Sequence, residues 1–543
     1  MTTRVRLVAV GLVAFVAAGC EDPLTAQNFN DPDVERVFRQ PSAIEQTLGS
    51  GYQQCRNVEK GNGLNAQLAV MSGESYSALN NFNMGPRDGI PRAPILNNKT
   101  SNQAENGFYG GWSRQSRLQA NALKQLDALI EANGNALIDD AADMRARALG
   151  FLNMGCNLGW LSLVYDSAGI IDHIMDTDFV PDLSGYMEVN AAALAFLDSA
   201  IAIASSPAAT GTNGFPATAS WFGGNSLSAA DFVRLARSMK ARYRADVPRS
   251  KAERAAVNWA AVIADAENGL TSDLTVEIGG STGWSIGLQS SQNHVSAAWA
   301  QLTLMYNGFA DVSNAYATWL ATDLLLRNGD FIIQTPDLRW PQGTTLAAQR
   351  TASVEPTDHT DMPYIGARSE WSPGDPWGES WYSSHRFKYI RNNSSTGPYP
   401  DFLVSEMNLL AAEGYLRTGD MTKALQKINV SRLTAGLPEL TGASSPNDLV
   451  PGANCVPRVP QNQGTTLGCG SIFEAMKYEW RMETAYYRLG AWFFAHRGWE
   501  DLVENTPLYY PVPVQELDAR LKPYYSIGGG GNPGSAPRGT YGF

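Results

Sequence analysis

The sequence predicts a mainly α protein, a scaffold of helical hairpins broken by long irregular loops and a few short strands. Three observations carry this. Apolar residues recur at helical spacing in segment after segment, Gly/Pro-rich stretches separate those segments, and residues 401–440 spell out a complete hairpin. In that hairpin Leu403, Met407, Leu410 and Gly414 share one helical side. Gly419 and Asp420 then punctuate the chain, the carboxylate placed to cap a second helix. Met421, Ala424, Leu425, Ile428 and Leu433 line the second helix, which Gly436 and Pro438 end.

Taken in order, the chain opens with Arg4 and Arg6, a 13-residue apolar run from Leu7 to Gly19, then Cys20. The run is too short to span a bilayer and has the layout of a secretory signal over 1–19. Residues 20–543 then read as one domain in three parts. The first, 20–270, holds helices predicted at Ser42–Lys60, from Trp112 through the segment ending EAN, at Asp139–Tyr165, Glu188–Ala204, Ser228–Asp246 and Lys251–Gly269. A polar excursion over 61–111 interrupts it, and loops of that length are usually functional or disordered. The second part, 271–400, changes texture: a strand at Leu274–Ile278, one helix near Val295–Leu326, and Trp/Pro-rich loops. The third, 401–543, returns to helices, including a pair within Ser471–Thr506, and ends in a Gly/Pro-rich tail.

A net charge of −12 and the lack of any Lys/Arg cluster exclude nucleic acid as a partner. Aromatics are more informative at 10%, with 14 Trp and 21 Tyr, because flat amphipathic rings serve as platforms for sugars and peptides. Trp371, Trp377, Trp381 and Tyr382 crowd a Pro/Gly-broken loop rather than a periodic element, which predicts an exposed ligand platform. Trp284 and the excursion residues Tyr76, Phe82 and Arg87 complete the candidate binding surface.

Motifs for chemistry are weak. Gly283–Gly287 has the spacing of a serine-hydrolase elbow, but GGST before it and LQSSQN after it supply neither the strand nor the helix that an elbow requires. The five histidines are scattered with no HExxH, so no zinc site is predicted. The acidic run Asp172, Asp176, Asp178 and Asp182 lacks the glycine and ligand spacing of a calcium loop and reads as a solvated loop. No cofactor is called for.

The hairpin at 401–440, with its Tyr415, Gly419 and Ala424 placements and small residues where helices approach, resembles a tetratricopeptide unit. Its wording is more particular: Ile428, Asn429, Ser431, Arg432, Ala435, Gly436, Leu437, Pro438 and Leu440 resemble the C-terminal signature of the SusD/RagB family. Arg481, Glu483, Gly490, Trp492, Arg497, Pro511, Pro513, Glu516, Leu517 and Asp518 resemble that family's ending, and are read as structural. Phe494-Ala495 departs from its Asp-Leu, and Val164-Tyr165-Asp166 lacks the Gly of its Leu-Tyr-Gly-Asp. Ala17-Ala18-Gly19-Cys20 resembles a lipobox, with Ala17 in place of the usual Leu, and Glu21-Asp22 resembles a surface-export signal.

The resemblance implies a SusD-like helical scaffold, lipid-anchored at Cys20 on the outer membrane. It further implies a non-catalytic protein that captures oligosaccharides and passes them to a TonB-dependent transporter. Peptide capture of the RagB type is the alternative, and a secreted glycoside hydrolase built on helical pairs a more distant one. With Cys20 acylated, four cysteines remain in an oxidising compartment. Cys455 and Cys469 bracket a loop without helix propensity and are predicted to pair, whereas Cys55 and Cys156 either pair or stay as buried thiols.

Overall fold

The computed structural model describes residues 38–77, 80–97, 103–177, 179–279, 282–285, 302–353, 365–367 and 380–542. Helix α1 (Pro41–Glu59) starts on a proline, whose missing N–H costs nothing in a first turn, and buries Ile44, Leu48, Tyr52 and Cys55. Short α2 (Asn62–Met71) is buried nearly all round, and α3 (Met84–Asp88) follows a kink. The longest helix, α4 (Gln103–Asn133), begins well before Trp112, because Gly107, Gly110 and Gly111 mask its periodicity in the sequence. A Cβ at 111 would sit 2.9 Å from Val58, so a small residue there lets α4 close on α1. Asp139 caps α5 (Asp140–Val164) by accepting from the Ala142 amide at 2.9 Å.

Helix α5 is the central post, buried over most of its length between α1, α4 and the helices that follow. A two-strand ladder of β1 (Ser167–Gly169) and β2 (Leu183–Gly185) leads into α6 (Tyr186–Ala204) and α7 (Ala229–Asp246). The helix expected at Lys251–Gly269 is two, α8 (Lys251–Ala255) and α9 (Trp259–Glu267). The break is local chemistry: the Asn258 side chain accepts from the Ala261 amide at 3.0 Å and restarts the helix.

Strand β3 (Leu274–Ile278) occurs where expected, but its partner lies far along the chain. The single helix expected near Val295–Leu326 is, from residue 302 on, two short ones, α10 (Leu304–Ala310) and α11 (Ala315–Ala321). Asp311 divides them, accepting from the Ser313 amide at 2.9 Å and the Tyr316 amide at 3.0 Å. Next come α12 (Leu346–Ala352), the paired β4 (Ile365–Ala367) and β5 (Tyr382–Ser384), α13 (Lys388–Asn392), and β6 (Gly397–Phe402), which pairs antiparallel with β3.

The hairpin at 401–440 forms as α14 (Val404–Thr418) and α15 (Met421–Thr434), turned by Gly419 at φ +87° and capped by Asp420 on the Lys423 amide. Strands β7 (Arg458–Pro460) and β8 (Leu467–Cys469), helices α16 (Ile472–Thr484) and α17 (Ala491–Trp499), and α18 (Val514–Ala519) complete the chain. One apolar core runs from Phe38 to Tyr541 and draws on all three sequence regions. The predicted Cys455–Cys469 bridge is present, and Cys55–Cys156 is bridged as well, tying α1 to α5.

Candidate functional site

A cavity of about 570 Å³ opens between the loop that follows α2 and the α10–α11 pair. This is a size that encloses a small organic ligand. Its first wall is the excursion. After α2 the chain turns at Gly73 (φ +73°), and the left-handed Phe82 and Asn83 kink it into α3. The Ser77 amide donates to Asp88 Oδ2 at 2.9 Å and closes the loop, while Asp88 pairs with Arg92 at 3.6 Å. The buried Arg92 also donates to Thr506 Oγ1 at 3.2 Å and to the Arg87 carbonyl at 2.5 Å, fixing the loop to the C-terminal segment.

The second wall is aromatic. Tyr316 and Trp319 lie nearly parallel, with ring centroids 5.7 Å apart, and Phe331 packs against both. Gly308 permits this, since a Cβ there would stand 2.0 Å from the Tyr316 ring. Thr303 joins the walls: its hydroxyl donates to the Gly73 carbonyl at 2.7 Å and accepts from the Tyr306 amide at 3.3 Å. The Arg327 guanidinium lies 4.8 Å from the centroid of the Trp319 ring.

Two polar atoms of the aromatic wall are unspent. Tyr316 is fully buried and Trp319 is 9% exposed, yet the Tyr316 hydroxyl and the Trp319 indole N–H have no hydrogen-bond partner among the described residues. Burial pushes the Tyr316 phenol up, so it keeps its proton at neutral pH. Beside the first wall, burial raises Glu74 from 4.5 to about 7, against the Tyr486 amide that donates to Oε1 at 2.5 Å and the nearby Arg488 charge; Oε2 has no hydrogen-bond partner among the described residues.

Of the sequence-predicted residues, Tyr76 lines the cavity, half-buried, together with Asn80, Asp88 and Ile90. Phe82 packs behind it on Met84, Val70 and Ala66. Arg87 is buried and donates to Gln67 Oε1 and the Pro94 carbonyl, so it shapes the loop rather than facing a ligand. Tyr382, expected in an exposed platform, and Trp284, expected on the binding surface, are both buried instead. Trp284 is buried under Arg56, 5.4 Å away, and against Tyr52. Tyr382 is fully buried, donating to Gln349 Oε1 at 2.6 Å and accepting from the Ile333 amide at 3.0 Å. A three-residue strand such as β5 is too short to display the alternation that marks a core position. Trp381 is half-buried and packs on the core beneath Arg350. Trp371 and Trp377 lie outside the described residues, as does Cys20.

Sequence reasoning missed Tyr316 and Trp319, since an i, i+3 aromatic pair on a helix reads equally as core. Ser285 of the elbow-like motif sits in irregular chain, its amide donating to Asn57 Oδ1 at 2.9 Å, while residues 286 and 287 lie outside the described set. Among the described residues no cluster of His, Cys, Asp and Glu is arranged to hold a metal ion, and Asp178 lies outside that set.

The signature residues of the C-terminal part serve the frame. Ser431 donates to Glu479 at 2.6 Å, and Arg339 bridges Asp337, Glu479 and Glu483, all but solvent-free. Arg481 contacts Asp501 at 2.8 Å and the Tyr541 hydroxyl at 3.0 Å, and Arg497 donates to the carbonyls of Leu163, Asp246, Pro248 and Leu508.

No protein-family model and no curated protein matches this sequence. Solved structures do. A SusD-like protein from Bacteroides fragilis aligns over 86% of this chain and 88% of its own at 14% identity and a TM-score of 0.51, so the fold is SusD-like. A SusD superfamily protein from Bacteroides vulgatus aligns over 89% and 97% at 13% identity and a TM-score of 0.49. Surface glycan-binding protein A from Bacteroides uniformis aligns over 88% and 97% at 12% identity and a TM-score of 0.47.

Proposed function

We propose that this chain captures oligosaccharides at the cell surface and releases them chemically unchanged. The observation that carries the reading is the cavity of about 570 Å³, walled on one side by Tyr76 and its loop and on the other by Tyr316 and Trp319. Such a chamber has apolar surface for the faces of sugar rings and polar edges for their hydroxyls. The SusD-like fold supports it, and the sequence adds the secretory signal and the lipobox-like Ala17–Cys20. On this reading Cys20 is acylated and holds the protein on the outer membrane, and a TonB-dependent transporter receives the ligand. Trp371 and Trp377 belong to the same proposal as further ligand contacts.

Titration calorimetry of the mature protein against a panel of neutral hexasaccharides (maltohexaose, cellohexaose, laminarihexaose, xylohexaose) tests this reading. Saturable binding with the sugar recovered intact supports it. Shortened sugars, or saturable binding only of oligopeptides, would overturn it.

A further inference from the structure

The surface that the cavity offers narrows the ligand further, on the reading that it holds a sugar. Among the described residues its reachable wall is largely aliphatic. Pro86 and Ile90 stand exposed, Ile90 at 58%, and Met305 and Val503 are half-buried. The backbone that presents them is held in place. Ile90 lies between Asp88 and Arg92, whose ion pair at 3.6 Å fixes its loop, and Met305 follows Thr303, which donates to the Gly73 carbonyl at 2.7 Å. Apolar side chains left in water on a fixed frame gain from being covered, in proportion to the area covered.

Shape decides what covers them. Flat aromatic rings match the broad C–H face of a pyranose, whereas branched and thioether side chains offer no flat face and pack around compact groups. A hydroxyl pressed onto such carbon gives up its water hydrogen bonds without replacement; a methyl group gives up nothing. The exposed Asn80 adds a carboxamide, both donor and acceptor, to the same cavity. An acetyl group suits that combination, its methyl on the aliphatic wall and its carbonyl within the carboxamide's reach.

We infer that the cavity prefers acetylated glycans to their all-hydroxyl counterparts, seating acetyl methyl groups against Ile90, Met305 and Val503. Each methyl group buried is a factor of about four in affinity. Titration calorimetry compares pairs that share a backbone: cellohexaose with hexa-N-acetylchitohexaose, and maltohexaose, laminarihexaose and xylohexaose each with its O-acetylated form. In the backbone that is captured, the acetylated member binds at least about fourfold more tightly. Met305→Gln keeps the side chain's length and makes its end polar, and Ile90→Ser removes an exposed apolar group. Each brings the two members of the pair within about twofold of one another.

Thermal unfolding shows whether each variant is folded. Should Met305→Gln unfold, Ile90→Ser, whose side chain stands mostly in solvent, decides alone. Parent sugars binding as tightly as acetylated ones, or a preference left unchanged in the folded variants, overturn the inference while leaving the capture of oligosaccharides standing. Binding of neither member of any pair removes both.

Discussion

On α14 and α16 buried charges are matched: Glu406 meets Arg242 at 2.7 Å and Arg488 at 2.9 Å, Glu413 meets Arg254 at 2.6 Å, and Glu479 meets Arg339 at 2.9 Å. On α11 the Tyr316 hydroxyl and the Trp319 N–H are also buried and have no hydrogen-bond partner among the described residues. The two regions bury comparable polar groups to different ends. Where each partner is built into the chain, the groups lock helices in register; on α11 two donors are left over, as is Arg481 Nη1 on α16. The signature residues that stand out in the sequence fall in the first region, and the candidate ligand contacts in the second.

The strongest way to break this contrast is to unpair a charge in the first region. Glu413→Ala strands Arg254, and should cost about 3–5 kcal/mol in urea unfolding while the folded fraction still binds sugar normally. A loss below about 1 kcal/mol would show that the pairs are not what fixes α14.

The pH dependence of stability comes next in size. Arg242 and Arg254 hold Glu406 and Glu413 down at about 2, despite burial that opposes it. Their contribution, about 3 kcal/mol each, is present above the unfolded value of 4.5 and is lost as pH falls toward 2. Glu74 runs the other way. Its folded state holds a proton up to about 7, so stability falls as pH rises from 4.5 through 7, by about 3 kcal/mol. Glu74→Gln should flatten the alkaline limb and leave the acid limb unchanged in denaturation series from pH 3 to 9; an unchanged alkaline limb would reassign it.

The finest comparison uses one substitution in two places. Tyr382→Phe breaks bonds to Gln349 and Ile333 and should cost about 1–3 kcal/mol without touching affinity. Tyr316→Phe removes an unpaired hydroxyl and should stay within about 0.5 kcal/mol of wild type. Equal melting shifts for the two would erase the distinction between matched and unmatched polar groups.

Much of the frame was legible in advance. The hairpin at α14–α15, the helices α1, α5, α6 and α7, strand β3 and the Cys455–Cys469 bridge follow from periodicity, caps and spacing. The candidate site was legible in its first wall, where a long polar excursion carries Tyr76 to the cavity. It was not legible in its second, because Trp319 on α11 and Trp284 in irregular chain carry the same side chain, and only their neighbours separate a cavity wall from a buried plug.

What the sequence determined by itself is local: which segments coil, where they stop, and which arginines and glutamates the C-terminal helices contain. What the tertiary structure decided is pairing across distance. Asp401 meets Arg56 and Tyr52 from the far side of the chain, Cys55 reaches Cys156, and Gly73, Tyr76 and Asp88 come to face Thr303, Tyr316 and Trp319. Periodicity fixes the face a helix buries, because that is set within a few residues. Whether a buried polar atom finds a partner depends on chain folded in from hundreds of residues away.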